Sequence, residues 1–185
     1  MNTTPSSPYP RARTLVHPGP FNPVRIQSRH ATHAQHFRLQ IQPGASLFDA
    51  LVQPLSERGI HSASTTILGG LFSSMQFCMA PPDPLGQAII RYTSPVDTGR
   101  TYMVFGNATV GKNQDGQPIV HCHAAIRTES GAVKGGHIIT QAAIAAEPLS
   151  VLVTSLDGFE LRVAYDPETN IPLIQPLDST SGEAP

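Results

Sequence analysis

The 185 residues, 19.8 kDa in mass, suit one domain, long enough to bury roughly 70% of its unfolded surface without staples. Twelve basic against thirteen acidic residues, a net charge of −1 and only 14% charged side chains exclude a globally basic nucleic-acid binder. Two cysteines, Cys78 and Cys122, exclude a disulfide scaffold, and no apolar run approaches the ~18–20 residues that span a bilayer, so no membrane partner is expected.

Residues 1–23 hold Pro5, Pro8, Pro10, Pro18, Pro20 and Pro23 among Ser, Thr and Asn, which predicts a flexible arm. The opening has no charged n-region followed by an apolar h-region, so no secretory signal is expected and a cytoplasmic location is. No Asp or Glu precedes Asp49, whereas Arg11, Arg13, Arg25, Arg29, Arg38, His17, His30, His33 and His36 all do. The remaining 137 residues carry seven basic and thirteen acidic side chains. A basic arm on an acidic body either neutralises phosphates or folds back on the carboxylates of its own body or of a neighbouring subunit. Five arginines spread over 48 residues are dilute, which favours the second. Residues 24–35 are expected as an ordered strap, 36–176 as the folded domain and 177–185 as a loose tail.

The first regular element is a strand, His36–Ile41, in which Phe37, Leu39 and Ile41 alternate with polar residues. After the Pro43-Gly44 turn, Ser46 is placed as a helix N-cap, and Leu47, Leu51 and Leu55 form one apolar stripe. Pro54 is expected to kink or end the helix near Val52, with Gly59 as C-cap. Short β-type runs follow at 64–68, 71–79, 87–92, 102–110, 119–126, 149–154 and 160–165. A turn is expected at 113–116, a loop at 131–136, a turn at 166–170 and a brief last pairing at Leu173-Ile174. One helix among about seven strands predicts an α+β domain with a mainly antiparallel sheet and one or two helices.

The chemistry concentrates in Ile119-Val120-His121-Cys122-His123-Ala124. On a strand, i and i+2 share a face, so His121 and His123 project together and Cys122 points away. His137 follows Gly135-Gly136 and supplies a third imidazole. Three neutral imidazoles with an open fourth position suit Zn²⁺, and other divalent transition metals fit the same ligand type. Histidines so spaced can equally hydrogen-bond across a sheet or line a subunit interface. Cys78 and Cys122 are expected to be small buried hydrophobes. Glu147, after the apolar run 142–146, is the one carboxylate placed as a candidate general base. Arg162 is expected in a cross-strand ion pair.

Gly106-Asn107, Asp115-Gly116, His121-Cys122-His123-Ala124, Gly131, Gly135-Gly136-His137, Ala146-Glu147, Arg162 and the turn from Asp166 to Asn170 occur in one order. Together they resemble the signature of the PPC domain, the "plants and prokaryotes conserved" or DUF296 family, over about residues 36–176. The resemblance implies an α+β fold, assembly as a homotrimer, and zinc held by His121, His123 and His137. It also implies an association with DNA, since plant members join the domain to AT-hooks. Pro10-Arg11-Ala12-Arg13 is not an AT-hook, because Ala replaces the central glycine and no proline follows. Arg100 stands where the family often carries a glutamate, and Asn170 where a glycine is usual.

Three functions follow as expectations. The first is a trimeric metal-binding domain whose ion takes a small anionic ligand or a water. The second is a DNA-associated protein using the basic arm. The third is a metal-dependent hydrolase with Glu147 as base; binding ranks ahead of catalysis.

Overall fold

A computed structural model describes residues 15–178 with the exception of residue 26; the rest of the proline-rich arm, including Arg11 and Arg13, and the tail 179–185 lie outside the described residues. The strands in chain order are β1 His36–Ile41, β2 Ala63–Ile67, β3 Gly70–Ser74, β4 Gln76–Cys78, β5 Val96–Asp97 and β6 Thr101–Lys112. They continue with β7 Pro118–Thr128, β8 Val133–Ile138, β9 Ile144–Ala145, β10 Leu149–Ser155, β11 Phe159–Asp166 and β12 Ile171–Asp178. Among the described residues there is one α-helix, α1 Leu47–Ser56, and one 3-10 turn, Thr140–Ala142. Among the described residues no helix is long and apolar enough to cross a membrane.

The main sheet runs β1-β10-β2-β6-β7-β8-β4-β5, all antiparallel, with β3 and β9 attached beyond β6. The β11–β12 hairpin joins β6 at a single parallel bridge, Arg162↔Lys112. This is the mainly antiparallel α+β architecture expected.

Strand alternation gives the sheet two unlike faces. Ala63, Ile67, Ala108, Val110, Val120, Cys122, Ile126, Val151 and Val153 point inward and are buried. The stripe of Leu47, Leu51 and Leu55 on α1 closes that face, each side chain fully buried. Thr65 and Ser155 are polar side chains on that face, and both are satisfied: the Thr65 hydroxyl donates to the Ala108 carbonyl at 3.0 Å and Ser155 Oγ accepts the Gln35 N–H at 2.8 Å. The opposite face carries Ser64, Thr109, His121 and His123, and it holds the chemistry.

Ser46 caps α1 as expected, its Oγ accepting the Asp49 N–H at 3.0 Å. Ser46→Ala should cost about 1 kcal/mol of stability; an unchanged urea midpoint would remove the cap from the account. Pro54 does not end the helix near Val52: α1 runs on to Ser56. The proline sits in the last turn, so only one carbonyl loses its donor. Arg58 Nη1 donates to the Pro54 carbonyl at 2.7 Å, and Gly59, at φ +69°, takes the left-handed conformation that lets the chain leave.

Several strand expectations need correction. Residues 87–92 form no strand; Ile90 makes only an isolated bridge with Pro82, and the Arg91 N–H donates to the Pro81 carbonyl at 3.0 Å. The loop is organised instead by buried Asp83, whose carboxylate accepts the Gln87 and Ala88 N–H groups at 2.9 and 3.2 Å. Residues 131–136 are not all loop, because β8 begins at Val133. The run 71–79 divides into β3 and β4, and the last pairing extends along all of β12.

Residues before β1 fold back on the body. Glu168, in the β11–β12 turn and 4% exposed, accepts from His17 Nδ1 at 2.7 Å and from the Asn22 N–H at 2.9 Å. Arg25 lies 2.8 Å from the same carboxylate. The His17 hydrogen bond, with the Asn22 amide and the Arg25 charge, holds Glu168 below the ordinary carboxylate range despite its burial. Arg29 donates to Asp178 at 2.7 and 3.2 Å. Two of the five early arginines are therefore neutralised by the chain's own carboxylates.

Candidate metal centre

His121 and His123 stand on the outer face of β7, while Cys122 between them is fully buried on the inner face. Their partners on β6 are Thr109 and Asn107. The register of β8 on β7 sets His137 directly opposite His123. Cys78 of β4 pairs with His137 from the other side. Three histidines from two adjacent strands thus meet at one point of the sheet.

The glycines before His137 are extended residues inside β8 and make no turn there. A Cβ at Gly136 would lie 2.5 Å from the Cys78 carbonyl oxygen, and one at Gly135 would lie 2.9 Å from that of Ala124. Only glycine lets β8 lie this close to both neighbours. The turn glycine is Gly131, at φ +83°.

The imidazole centroids are 4.9 Å apart for His121–His123, 4.6 Å for His121–His137 and 5.6 Å for His123–His137. One nitrogen of each lies within 4.8 Å of one nitrogen of both others. His123 is exposed, and His121 and His137 are half-buried. Burial, reinforced by the charges of His137 and His123, pushes His121 down to about 4. Burial and then His123 push His137 down as well. Both rings are neutral at physiological pH and present free lone pairs.

That shift has a measurable consequence for the metal-free protein. The unfolded chain protonates His121 near its ordinary value of 6.5, the folded chain near 4, so between those values the unfolded state binds more protons. Stability should be highest above pH 6.5 and fall as the pH drops towards 4. Urea midpoints that stay flat through this window, in a protein stripped of metal, would contradict the burial assigned to His121.

The donor set fits a transition metal. His137 Nδ1 is buried with no hydrogen-bond partner among the described residues, an unmet cost that an ion ligated there would remove. Imidazole nitrogens are borderline ligands that suit zinc and its neighbours in the first row. Cys122 contributes nothing to the set: it faces the core, and burial pushes its thiol up to about 12. Glu147 does not join the group; its Oε1 accepts the Leu71 N–H at 2.9 Å. Arg162 pairs with Glu160, which also accepts from Lys112 Nζ at 2.7 Å. Asn170, at φ +56°, takes the left-handed conformation for which glycine is usual.

Sequence reasoning missed the surroundings of the histidines. The Tyr92 ring lies 5.2 Å from that of His137, tilted by 48°, and Ser64 and Thr109 lie beside His121 across the strands. The sequence places Tyr92 in a strand, and nothing in its local pattern points to His137, which is 45 residues away.

Comparison with known proteins agrees with this architecture. The family profile described as the Plants and Prokaryotes Conserved (PCC) domain matches residues 28–157. A solved structure of a metal-containing protein from Archaeoglobus fulgidus superposes with a TM-score of 0.63 at 20% identity, covering 81% of this chain and 98% of that one. A plant- and prokaryote-conserved (PPC) protein from Pyrococcus horikoshii gives 0.58 at 18% identity, over 81% and 96%. A protein from Ralstonia eutropha named as a candidate DNA-binding protein gives 0.58 at 18%, over 75% and 88%. At such identities the likeness is one of fold. No curated protein matches the sequence at a significant level. With the family profile spanning most of the domain and the fold shared by these structures, the chain belongs to the Plants and Prokaryotes Conserved domain family.

Proposed function

We propose that the protein is a metal-binding domain that holds one zinc ion on His121, His123 and His137 and presents it to a small anionic ligand. The observation that carries this reading is the convergence of three histidine nitrogens within 4.8 Å, with His137 Nδ1 buried and unpaired. A bound zinc supplies a Lewis acid with a coordination position left over for ligand. The chain supplies the rest: β7 and β8 set the ring positions by register, and burial keeps the rings neutral. The metal-containing relative from Archaeoglobus fulgidus adds support. Binding is favoured over hydrolysis because Glu147, the proposed base, lies outside the group that the three histidines form. Elemental analysis of purified, tag-free protein should find about one zinc per chain, and none in a His121→Ala/His123→Ala variant. Wild type that holds no metal and takes up none from added zinc would make the histidines structural.

Two further assignments accompany this reading. The homotrimer is the assembly that the family resemblance implies, and Tyr102, Val104 and Phe105, large apolar side chains of β6 that are 48%, 51% and 51% exposed, offer a surface for self-association. A monomer in light scattering would remove it. DNA association is favoured by the name of the Ralstonia relative. It is weakened by the engagement of Arg25 and Arg29 with Glu168 and Asp178. Duplex binding that falls steeply with salt and disappears on deleting residues 1–35 would establish it.

A further inference from the structure

The sheet face around His121 is roofed. The β11–β12 hairpin stands over it, tied to β6 by the Arg162↔Lys112 bridge and by Glu160, which Lys112 and Arg162 both engage. The hairpin's tip is held from the other side. The Ile89 N–H donates to the Thr169 carbonyl at 2.9 Å, and the Asn170 side-chain amide donates to the Gln87 carbonyl. Between roof and sheet lies a half-open chamber of about 930 Å³. That is within the usual range for a small-molecule site, roughly 300–1,000 Å³.

The chamber's chemistry is one-sided. Ser64, Thr109 and His121 are successive cross-strand neighbours and form a polar strip on its floor. His137 lies at its margin beside Tyr92. The remaining walls are aliphatic: Ile90, Ile119, and on the hairpin Leu161, Val163, Leu173 and Ile174 among others. No Lys, Arg, Asp or Glu lines it among the described residues. A charged group placed against those walls would lose water with no partner to replace it. The one place a charge is welcome is the histidine group, and with a divalent cation there the charge must be negative.

We propose that the chamber binds a small carboxylic acid with an uncharged aliphatic or aromatic body. Its carboxylate lies at the histidine-held metal and its body beneath the β11–β12 hairpin. This rests on the zinc reading above and names the ligand class of that site. Carboxylate oxygen is an ordinary zinc ligand, and the aliphatic walls accept any compact apolar body, so head and body are recognised by separate parts of one cavity.

Calorimetric titration of the zinc-loaded full chain tests it, with zinc content measured on the same samples. The probes are octanoate, acetate and octylamine. Each methylene removed from water is worth roughly fourfold in affinity. With half of the six extra methylenes buried, octanoate should bind on the order of fiftyfold tighter than acetate. Octylamine, a cation at neutral pH, should not bind. Ile174→Glu, which puts a carboxylate into the hairpin wall of the chamber and leaves the histidines untouched, should erase the preference for octanoate at unchanged zinc content. Octanoate no tighter than acetate on zinc-replete protein overturns the ligand class and leaves the zinc reading standing. Octylamine equal to octanoate overturns the assignment of the head group. Failure of the wild type to take up zinc overturns the metal reading, and this inference with it.

Discussion

Gly136→Val is expected to unseat β8 and, with it, the metal. Gly136 pairs with Ala124 on one side, and on the other its Cα faces the β4 backbone. A Cβ there would sit 2.5 Å from the Cys78 carbonyl oxygen and 3.1 Å from Phe77 Cδ2. Neither neighbour can yield: Cys78 is held in the β4–β8 pairing, and Phe77 is 3% exposed in the core. The strand must move away, breaking pairing on both sides of His137. Overpacking of this kind costs about 1–3 kcal/mol, and lost strand pairing adds to it. The expected outcome is a lower urea midpoint and loss of zinc together, although no ligand has been altered. A variant that keeps its midpoint but loses zinc would mean that Gly136 acts on the site alone. One that keeps both would show that the close approach of β4 to β8 is not rigid.

The second large effect separates the two faces of β7. Zinc bound by protein sites is worth about 10–16 kcal/mol, which shared among three or four ligands gives roughly 3–4 kcal/mol each. His123→Ala or His137→Ala should therefore weaken zinc by on the order of a hundredfold to a thousandfold, read by competition against a chelator. His123 is exposed and lies in no part of the core, so its loss should leave the urea midpoint of the metal-free protein nearly unchanged. Cys122→Ser should do the reverse. It buries a hydroxyl where the fully buried thiol stands between its cross-strand neighbours Ala108 and Ile138, which lowers stability and leaves zinc affinity alone. Zinc loss in Cys122→Ser without a change in stability would place the thiol among the ligands and overturn the alternation assigned to β7.

Local pattern was enough where the physics is local. The period-2 alternation of Phe37, Leu39 and Ile41 placed β1, and the four-residue spacing of Leu47, Leu51 and Leu55 placed α1 and its buried stripe. Ser46 marked the helix start because its hydroxyl can reach a backbone amide three residues on. The His121-Cys122-His123 run declared its own geometry, since any strand sends i and i+2 to one face. The ordered set of motifs was legible for the same reason: each is a short piece whose role depends on its own backbone.

Pattern failed where the deciding partner was distant. The glycines before His137 suggested a turn, and only the carbonyls of Cys78 and Ala124 on either side show that they are strand residues kept small. Ile90 and Tyr92 had strand-like composition, yet Asp83 holds their segment as a loop and turns both towards the hairpin. The sequence by itself determined the fold class, the helix, the faces of β1 and β7 and the pair of histidines. The tertiary structure alone decided that His137 stands opposite His123, that Glu147 is spent on Leu71, and that a chamber lies under β11–β12. Each of these depends on register between strands distant in the chain, and register is set by what packs against both faces at once, which no local window of sequence contains.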